Sequence, residues 1–411
     1  MSRAQDGSAR PIGQGQDASA RGAQPNAAGQ VPLPPGSTLG VFGGGQLGRM
    51  FVHAAQRMGY RVHVFSTHHN SPAGQAADAE HVGALTDTRS IASFALGCDA
   101  ATLEFENVPT ESIAIAEQHT PIRPGSHVLH TTQHRVREKT FLKRVGVPVG
   151  AFAAVHSLAE LRAAAATIGL PAVLKTAQMG YDGKGQLVLR DAGELADAWQ
   201  TLGPGDGILE AFIPFEREVS VLVARGLDGQ TALYGPIENA HAQHILDVSV
   251  LPARGLTSAT SAAARQIATT VAEGLDAVGL LCVELFVLPD GGLLVNEIAP
   301  RPHNSGHLTI EGCQTSQFEQ QVRAVCGLPL GSSESLAPAA MANLLGDVWQ
   351  RGEPRWEAAL MAGAHLHLYG KDAPRAGRKM GHLTYLGTTS QAAHDGALAA
   401  RAALYSDPQE A

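Results

Sequence analysis

The sequence predicts a mixed α/β and α+β protein built from several domains, and three observations carry that reading. A strand–helix–strand unit opens the patterned part of the chain at Thr38, with glycines in its first turn. A second glycine-rich stretch, residues 179–186, lies between two apolar runs and describes a flap between strands. Near residue 297 two apolar runs joined by a tight turn carry one glutamate each and lead into a stiff basic segment.

At 411 residues the chain has room for about two to four domains. The formal charge of −8 and the lack of a polybasic run offer no reason to propose nucleic acid as a partner. No uninterrupted apolar segment reaches the roughly 18 residues of a membrane span, so no membrane partner is expected either. The four cysteines, Cys98, Cys282, Cys313 and Cys326, form no CxxC pair and read as reduced, buried thiols of a cytoplasmic protein. Residues 1–36, rich in Gly, Ala, Gln, Ser and Pro, read as a disordered tail without the apolar core of a signal peptide.

The first ordered domain is expected over residues 37–133. Thr38–Phe42 is a buried strand, Leu47, Phe51, Ala55 and Met58 recur at helical spacing, and 61–65 is the next strand. Gly43, Gly45 and Gly48 satisfy GxGxxG, a turn that lets backbone approach an anion at a helix N-terminus. A dinucleotide site normally shows an acid after the second strand. Here Phe65-Ser66-Thr67 has none, which argues against a nicotinamide enzyme. Farther on, Glu104 and Glu106 alternate with Leu103 and Phe105, so both acids are expected on one side of a strand, facing water, a cation or a substrate amine. A helix over 131–145 carries Arg135 and Lys139 at i, i+4, either as surface charges or as phosphate ligands.

The central lobes are expected over 134–335, with a seam at Gly146–Val149. A helix over 158–168 precedes the strand 172–175, which ends on Lys175. The flap follows, with Tyr181, Asp182 and Lys184 among its glycines, whose bare amides can close over phosphates. The strand 207–213 then connects through Pro214 to 216–223, with Glu210 and Glu218 as the acids available to a ribose. Glu238, His241 and His244 are expected after a further strand, and Ile267, Val271, Leu275 and Val278 mark a helix. Glu284 and Glu297 follow on the two strands of a hairpin turned at Pro289–Gly292, presenting two acids to one cation. Pro300 and Pro302 stiffen the backbone around Arg301, and with His303 and His307 that guanidinium can address an anion. Helices are expected around 315–326 and 337–345. A β-rich C-terminal domain, 336–411, closes with a hairpin of 364–371 and 378–385 that crowds Lys371, Arg375, Arg378 and Lys379 at one end.

The blocks GGGQLGRM, LEFENV, MGYDGKGQ, EREVS, NEIAPRPHNSGH and GRKMGH, in this order, resemble the ATP-grasp ligases. Within them they are most similar to the N5-carboxyaminoimidazole ribonucleotide synthase family, over about residues 37–387. The resemblance implies an ATP-grasp fold with a Rossmann-like pre-ATP-grasp domain before it and a small β-rich domain after it. It implies an ATP site of Arg135, Lys175, Gly180, Tyr181, Asp182, Gly183, Lys184, Gly185, Gln186, Glu210, Ala211, Phe212, Ile213, Glu218, His241, Asn296 and Glu297. Glu284 and Glu297 would hold magnesium, as two ions for which manganese could substitute. Gly45, Gln46, Leu47, Glu106, Tyr181, Asp182, Lys371 and Arg378 would bind 5-aminoimidazole ribonucleotide. Lys175 would stabilise the transferring phosphoryl group, and Arg301 and His303 would sit near bicarbonate and the carboxyphosphate made from it.

The implied activity is ATP-dependent carboxylation of that ribonucleotide in purine biosynthesis by a cytoplasmic homodimer. The amine proton would pass to the departing phosphate or to His303. Ala299 stands where many ATP-grasp enzymes place a metal-ligating asparagine, a departure shared by this family. The rival readings are another ATP-grasp ligase using formate or a different ribonucleotide, a nicotinamide oxidoreductase and an inactive nucleotide-binding scaffold.

Overall fold

The structure, a computed structural model, describes residues 31–178, 185–203 and 205–405, arranged around three sheets. The first is parallel, in the order β3-β2-β1-β4, formed by β1 (Thr38–Phe42), β2 (Arg61–Ser66), β3 (Ala79–Val82) and β4 (Ala100–Leu103). The central strand β1 and the edge strand β4 are both buried at every position. The glycine turn leads into α1 (Gln46–Arg57), which buries Leu47, Met50, Phe51, Ala54 and Ala55. Helices α2 (Thr88–Leu96) and α3 (Thr110–Ala116) follow, the first capped by Asp87, whose carboxylate accepts from the amides of Arg89 and Ser90.

Three expectations change here. Residues 31–36 are not a free tail: Leu33 is buried, its amide donates to the Cys326 carbonyl at 2.8 Å and its own carbonyl accepts from the Tyr60 hydroxyl at 2.8 Å. The strand carrying Glu104 and Glu106 ends at Leu103, so both acids lie in the loop beyond it. The helix expected over 131–145 is two, α4 (Ser126–Thr132) and α5 (Arg135–Arg144). Gln133 breaks them apart by donating to the Glu106 carbonyl at 2.5 Å and accepting from the Thr110 hydroxyl at 2.6 Å.

A small antiparallel sheet in the order β5-β8-β6-β7 forms the first central lobe, from β5 (Phe152–Val155), β6 (Ala172–Thr176), β7 (Gln186–Leu189) and β8 (Gly207–Ala211). Helices α6 (Leu158–Ile168) and α7 (Leu195–Leu202) cover one face. β8 is shorter than expected, leaving Phe212 and Ile213 in the connector.

The third sheet has eight strands, in the order β13-β12-β9-β10-β11-β14-β16-β15. They are β9 (Arg217–Arg225), β10 (Thr231–Ala242), β11 (Ile245–Leu251), β12 (Gly279–Val287), β13 (Leu293–Ala299), β14 (Ala339–Leu345), β15 (His365–Leu368) and β16 (Lys379–Leu386). Glu238 and His241 lie within β10 rather than after it, and His244 is exposed in the tight turn to β11 at a φ of 65°. Helix α8 (Ser258–Gly274) packs on β9 and β10 and stops before Val278.

The segment 337–345 is strand β14, not a helix. Alanine favours helices, but this run is buried between β11 and β16, and sheet pairing overrides the local preference. After the short α9 (Thr309–Gly312) comes α10 (Gln317–Cys326). It joins the first sheet to the third: Gln321 donates to the Thr102 hydroxyl at 2.5 Å and accepts from the Leu280 amide at 2.6 Å. The C-terminal region is more helical than expected. Besides α11 (Trp356–Met361) it holds α12 (Ser390–Ala403), which lays Ala393, Ala397 and Ala400 over β14 and β16. Its three strands extend the large sheet.

Candidate active site between the glutamate hairpin and the glycine turn

Glu284 on β12 and Glu297 on β13 are direct partners in an antiparallel ladder, and a bulge follows at Glu284/Leu285. Side chains so paired leave the same face with Cβ atoms about 5 Å apart. Each carboxylate faces a cationic or proton-donating group: His303 Nε2 lies 2.9 Å from Glu284, and Arg135 donates to Glu297 at 3.2 Å. Burial alone would raise the Glu284 carboxyl, but the bond from His303 outweighs it and draws the group down to about 2.

Among the described residues no cluster of three or more His, Cys, Asp and Glu could cage a metal. Two paired carboxylates instead fit magnesium, which is commonly held by one or two carboxylates together with substrate phosphates. Ala299 is buried against the core of the large sheet and adds no ligand.

On the lobe side, Lys175 donates to Glu210 at 3.0 Å, and Lys139 approaches the same carboxylate oxygen at 3.8 Å. Lys139 also donates to the carbonyls of Asn296 at 2.7 Å and Val295 at 3.2 Å, tying α5 to β13. Burial lowers Lys139 despite its acidic neighbours, while the two lysines overcome burial to lower Glu210. The second Glu210 oxygen is buried without a partner among the described residues. Ala211 ends β8, Phe212 is exposed and Ile213 half-buried beside it. Glu218 pairs with His241 at 3.1 Å, and that bond raises His241 against its burial. Gly185, at a φ of 72°, leads into Gln186, which pairs with Lys175. Gly180, Tyr181, Asp182, Gly183 and Lys184 lie outside the described residues.

The glycine turn, Lys371 and Arg378 line one cleft of about 260 Å³ with Phe65–His68. Glu104 closes its floor, accepting from the Gly45 amide at 2.8 Å and the Gly48 amide at 3.4 Å. A Cβ on Gly45 would stand 2.6 Å from that carboxylate, so the close approach itself requires glycine. Gln46 borders the cleft, whereas the Leu47 side chain points into the core. Lys371 donates to the Lys379 carbonyl at 2.6 Å, and Arg378 to the Ala373 carbonyl at 2.9 Å.

Glu106, expected at the substrate, is taken by Arg301: Nη2 donates to one oxygen at 3.0 Å and Nε to the other. Nη1 donates to the Pro302 carbonyl at 3.1 Å. Three of the five guanidinium N–H groups are thereby engaged, leaving two for an anion. His307, paired with His303 in the sequence analysis as an anion ligand, is instead fully buried in the core. The sequence leaves Glu104 and Lys139 open between surface and site roles and gives no signal for Asn304. Both polar atoms of Asn304 are buried without a partner among the described residues. For Lys139 the signal is its i, i+4 spacing from Arg135.

This arrangement defines an ATP-grasp enzyme. Residues 140–318 match the ATP-grasp domain, 37–133 the ribonucleotide synthetase preATP-grasp domain and 339–395 the phosphoribosylaminoimidazole carboxylase C-terminal domain. The chain is 42% identical over 352 residues to N5-carboxyaminoimidazole ribonucleotide synthase of Bacillus subtilis, covering 86% of this chain and 92% of that one. It is 44% identical over 348 residues to the Pseudomonas aeruginosa synthase, covering 84% and 93%. Among solved structures, the Thermus thermophilus synthetase superposes with a TM-score of 0.83 at 42% identity over 90% of this chain and 99% of that one. The Aspergillus clavatus synthase in complex with ADP and 5-aminoimidazole ribonucleotide superposes with a TM-score of 0.82 at 31% identity, again over 90% and 99%. The chain belongs to the N5-carboxyaminoimidazole ribonucleotide synthase family.

Proposed function

We propose that the protein is a carbon–nitrogen ligase that carboxylates 5-aminoimidazole ribonucleotide. It consumes ATP and bicarbonate and yields N5-carboxyaminoimidazole ribonucleotide, ADP and phosphate in purine biosynthesis. The observation that carries this reading is the facing pair Glu284 and Glu297, set between the Lys175–Glu210 lobe and the Arg301–His303 segment.

A bicarbonate oxygen attacks the γ-phosphorus of ATP, breaking the bond to ADP and forming carboxyphosphate. Lys175 would turn from Glu210 to the transferring phosphoryl group, and Lys139 would keep Glu210 neutralised when it does. Glu284 and Glu297 would hold magnesium, which when bound offsets charge on the phosphate oxygens. The remaining N–H pair of Arg301 suits a planar carboxylate-like anion, and Glu106 fixes the guanidinium plane. The exocyclic amine then attacks the carboxyl carbon, directly or as carbon dioxide, phosphate departs, and the carbamate forms. No protein nucleophile is needed. The cleft of the glycine turn, lined by Lys371 and Arg378, offers two cations to the ribonucleotide's 5′-phosphate. Tyr181, Asp182 and the flap amides, with Glu218 and His241 at the ribose, complete the proposed pocket.

Two further parts of the reading rest on the resemblance. One is a homodimer, checked by light scattering. The other is a cytoplasmic setting, with which the four free, buried cysteines agree. Among the described residues no helix is long and apolar enough to cross a membrane. Labelled bicarbonate incorporated into aminoimidazole ribonucleotide, with labelled formate left unincorporated, supports the assignment. Incorporation of formate instead would move the protein to a different ATP-grasp reaction.

A further inference from the structure

The cleft assigned to the ribonucleotide has walls from opposite ends of the chain. The glycine turn, Phe65–His68 and Pro72 belong to the first sheet and its loops, whereas Lys371 and Arg378 come from the connection between β15 and β16. Within that connection Lys371 donates to the Lys379 carbonyl at 2.6 Å, which ties it to its own strand pair but not to the facing wall. A cation serves an anion only at hydrogen-bond distance, so the two walls have to be held in register.

Gln75 spans both walls. Its Nε2 donates to the Gly370 carbonyl at 2.8 Å, 295 residues along the chain, and to the Asn70 carbonyl at 3.0 Å. Its Oε1 accepts from Arg49 Nη1 at 3.0 Å, and that nitrogen also donates to the Pro72 carbonyl at 2.9 Å. A guanidinium only donates and a backbone carbonyl only accepts, so one orientation of the Gln75 amide satisfies every partner. Arg49 lies on α1, just behind the glycine turn. The loop that Gln75 grips is fixed from its other side by Glu80 on β3, whose carboxylate accepts from the amides of Asn70 at 2.8 Å and Ser71 at 3.1 Å. On the facing wall, Tyr369 is buried in one core cluster with Leu47, Phe51 and Ala73, Gly370 offers its carbonyl to Gln75, and Lys371 lines the cleft. Gly370 stands at a φ of 70°, and a Cβ there would lie 2.4 Å from Gln75 Oε1 and 2.9 Å from Arg49 Nη1. Conformation and close approach both require glycine.

We propose that Gln75, oriented by Arg49, is a positioning residue for the ribonucleotide: its amide latches Gly370 to the wall of the first sheet and so sets where Lys371 meets the 5′-phosphate. Gln75 itself touches neither the phosphate nor any described residue proposed for ATP. The inference deepens the carboxylation reading and rests on it for the identity of the anion.

The test joins two measurements on the full chain. Hydrogen exchange read by mass spectrometry needs no ligand. In Gln75→Ala the peptide carrying the Tyr369 amide, which donates to the Met380 carbonyl at 2.9 Å, should exchange about 5-fold faster than in the wild type. In calorimetric titration the same variant should bind 5-aminoimidazole ribonucleotide about 5- to 10-fold more weakly while its ATP affinity stays within about 2-fold. In a Lys371→Met background, Gln75→Ala should cost less than about 2-fold, because the cation through which Gln75 acts is gone. A residue that only stabilised the fold would add its full cost in either background. Unchanged exchange in Gln75→Ala overturns the proposal, as does unchanged affinity for a ribonucleotide that the wild type binds, an equal loss for ATP, or full additivity with Lys371→Met. A wild type that binds no ribonucleotide yet shows the exchange contrast would refute the carboxylation reading and leave the latch between the walls standing.

Discussion

His303 and His307 sit four residues apart on one segment, and the fold gives them opposite surroundings. His303 lies between Glu284 and Ser305, at the edge of the site. His307 is sealed against Phe318 at 5.7 Å and His382 at 4.9 Å, its Nδ1 meeting the Gln317 amide at 3.2 Å. His382 in turn stacks on His367 at 4.4 Å and bonds the Tyr369 hydroxyl at 2.8 Å. Burial, and the positive neighbours of the site, hold His307 well below its ordinary value, and burial does the same to His382. The first imidazole faces chemistry. The second belongs to a stack that fastens the β15–β16 hairpin, and so the neighbourhood of Lys371 and Arg378, to the segment carrying Arg301. A histidine's partners, not its place in a motif, decide which of these it becomes.

The largest expected effect marks the catalytic side of this contrast. Glu297→Gln should lower kcat by at least about 100-fold while changing stability by no more than about 1 kcal/mol, since its pair with Arg135 is partly exposed. Full activity in that variant would remove Glu297 from the metal site. His303→Phe and His307→Phe test the contrast itself. The first should lose activity by about 10-fold or more, whereas the second, a similar ring that gives up the Gln317 bond, should keep turnover at a cost of about 1–3 kcal/mol in denaturant unfolding. Equal losses would break the comparison.

Glu106→Gln strips one charged arm from the Arg301 fork and should cost roughly 1–3 kcal/mol, with a matching fall in kcat/KM for bicarbonate. Acidification offers the mildest probe. His307 and His382 stay neutral when folded but take a proton below pH 6.5 once unfolded. Stability should therefore be full above 6.5 and fall below it, by at most about 1.4 kcal/mol per pH unit for each ring. His307→Phe should flatten that slope.

The hairpin was legible because its two apolar runs and the turn between them fix both length and register, which placed Glu284 opposite Glu297. The opening βα unit was legible for the same local reasons. Contacts made far along the chain were not. Glu104 looks like a strand residue by alternation, yet amides of the glycine turn some 60 residues earlier bind it. Gln133 carries no breaker signal, and only the Glu106 and Thr110 loop stops the helix there. Strand β14 reads as helix until its neighbours β11 and β16 are in place.

The most direct test of the central claim is phosphate release from ATP by the purified protein in bicarbonate buffer, with and without 5-aminoimidazole ribonucleotide. The account predicts release that depends on the ribonucleotide and equals the incorporation of labelled bicarbonate one for one. Tight ATP binding with no release under any acceptor, or release driven only by a different amine, would contradict it.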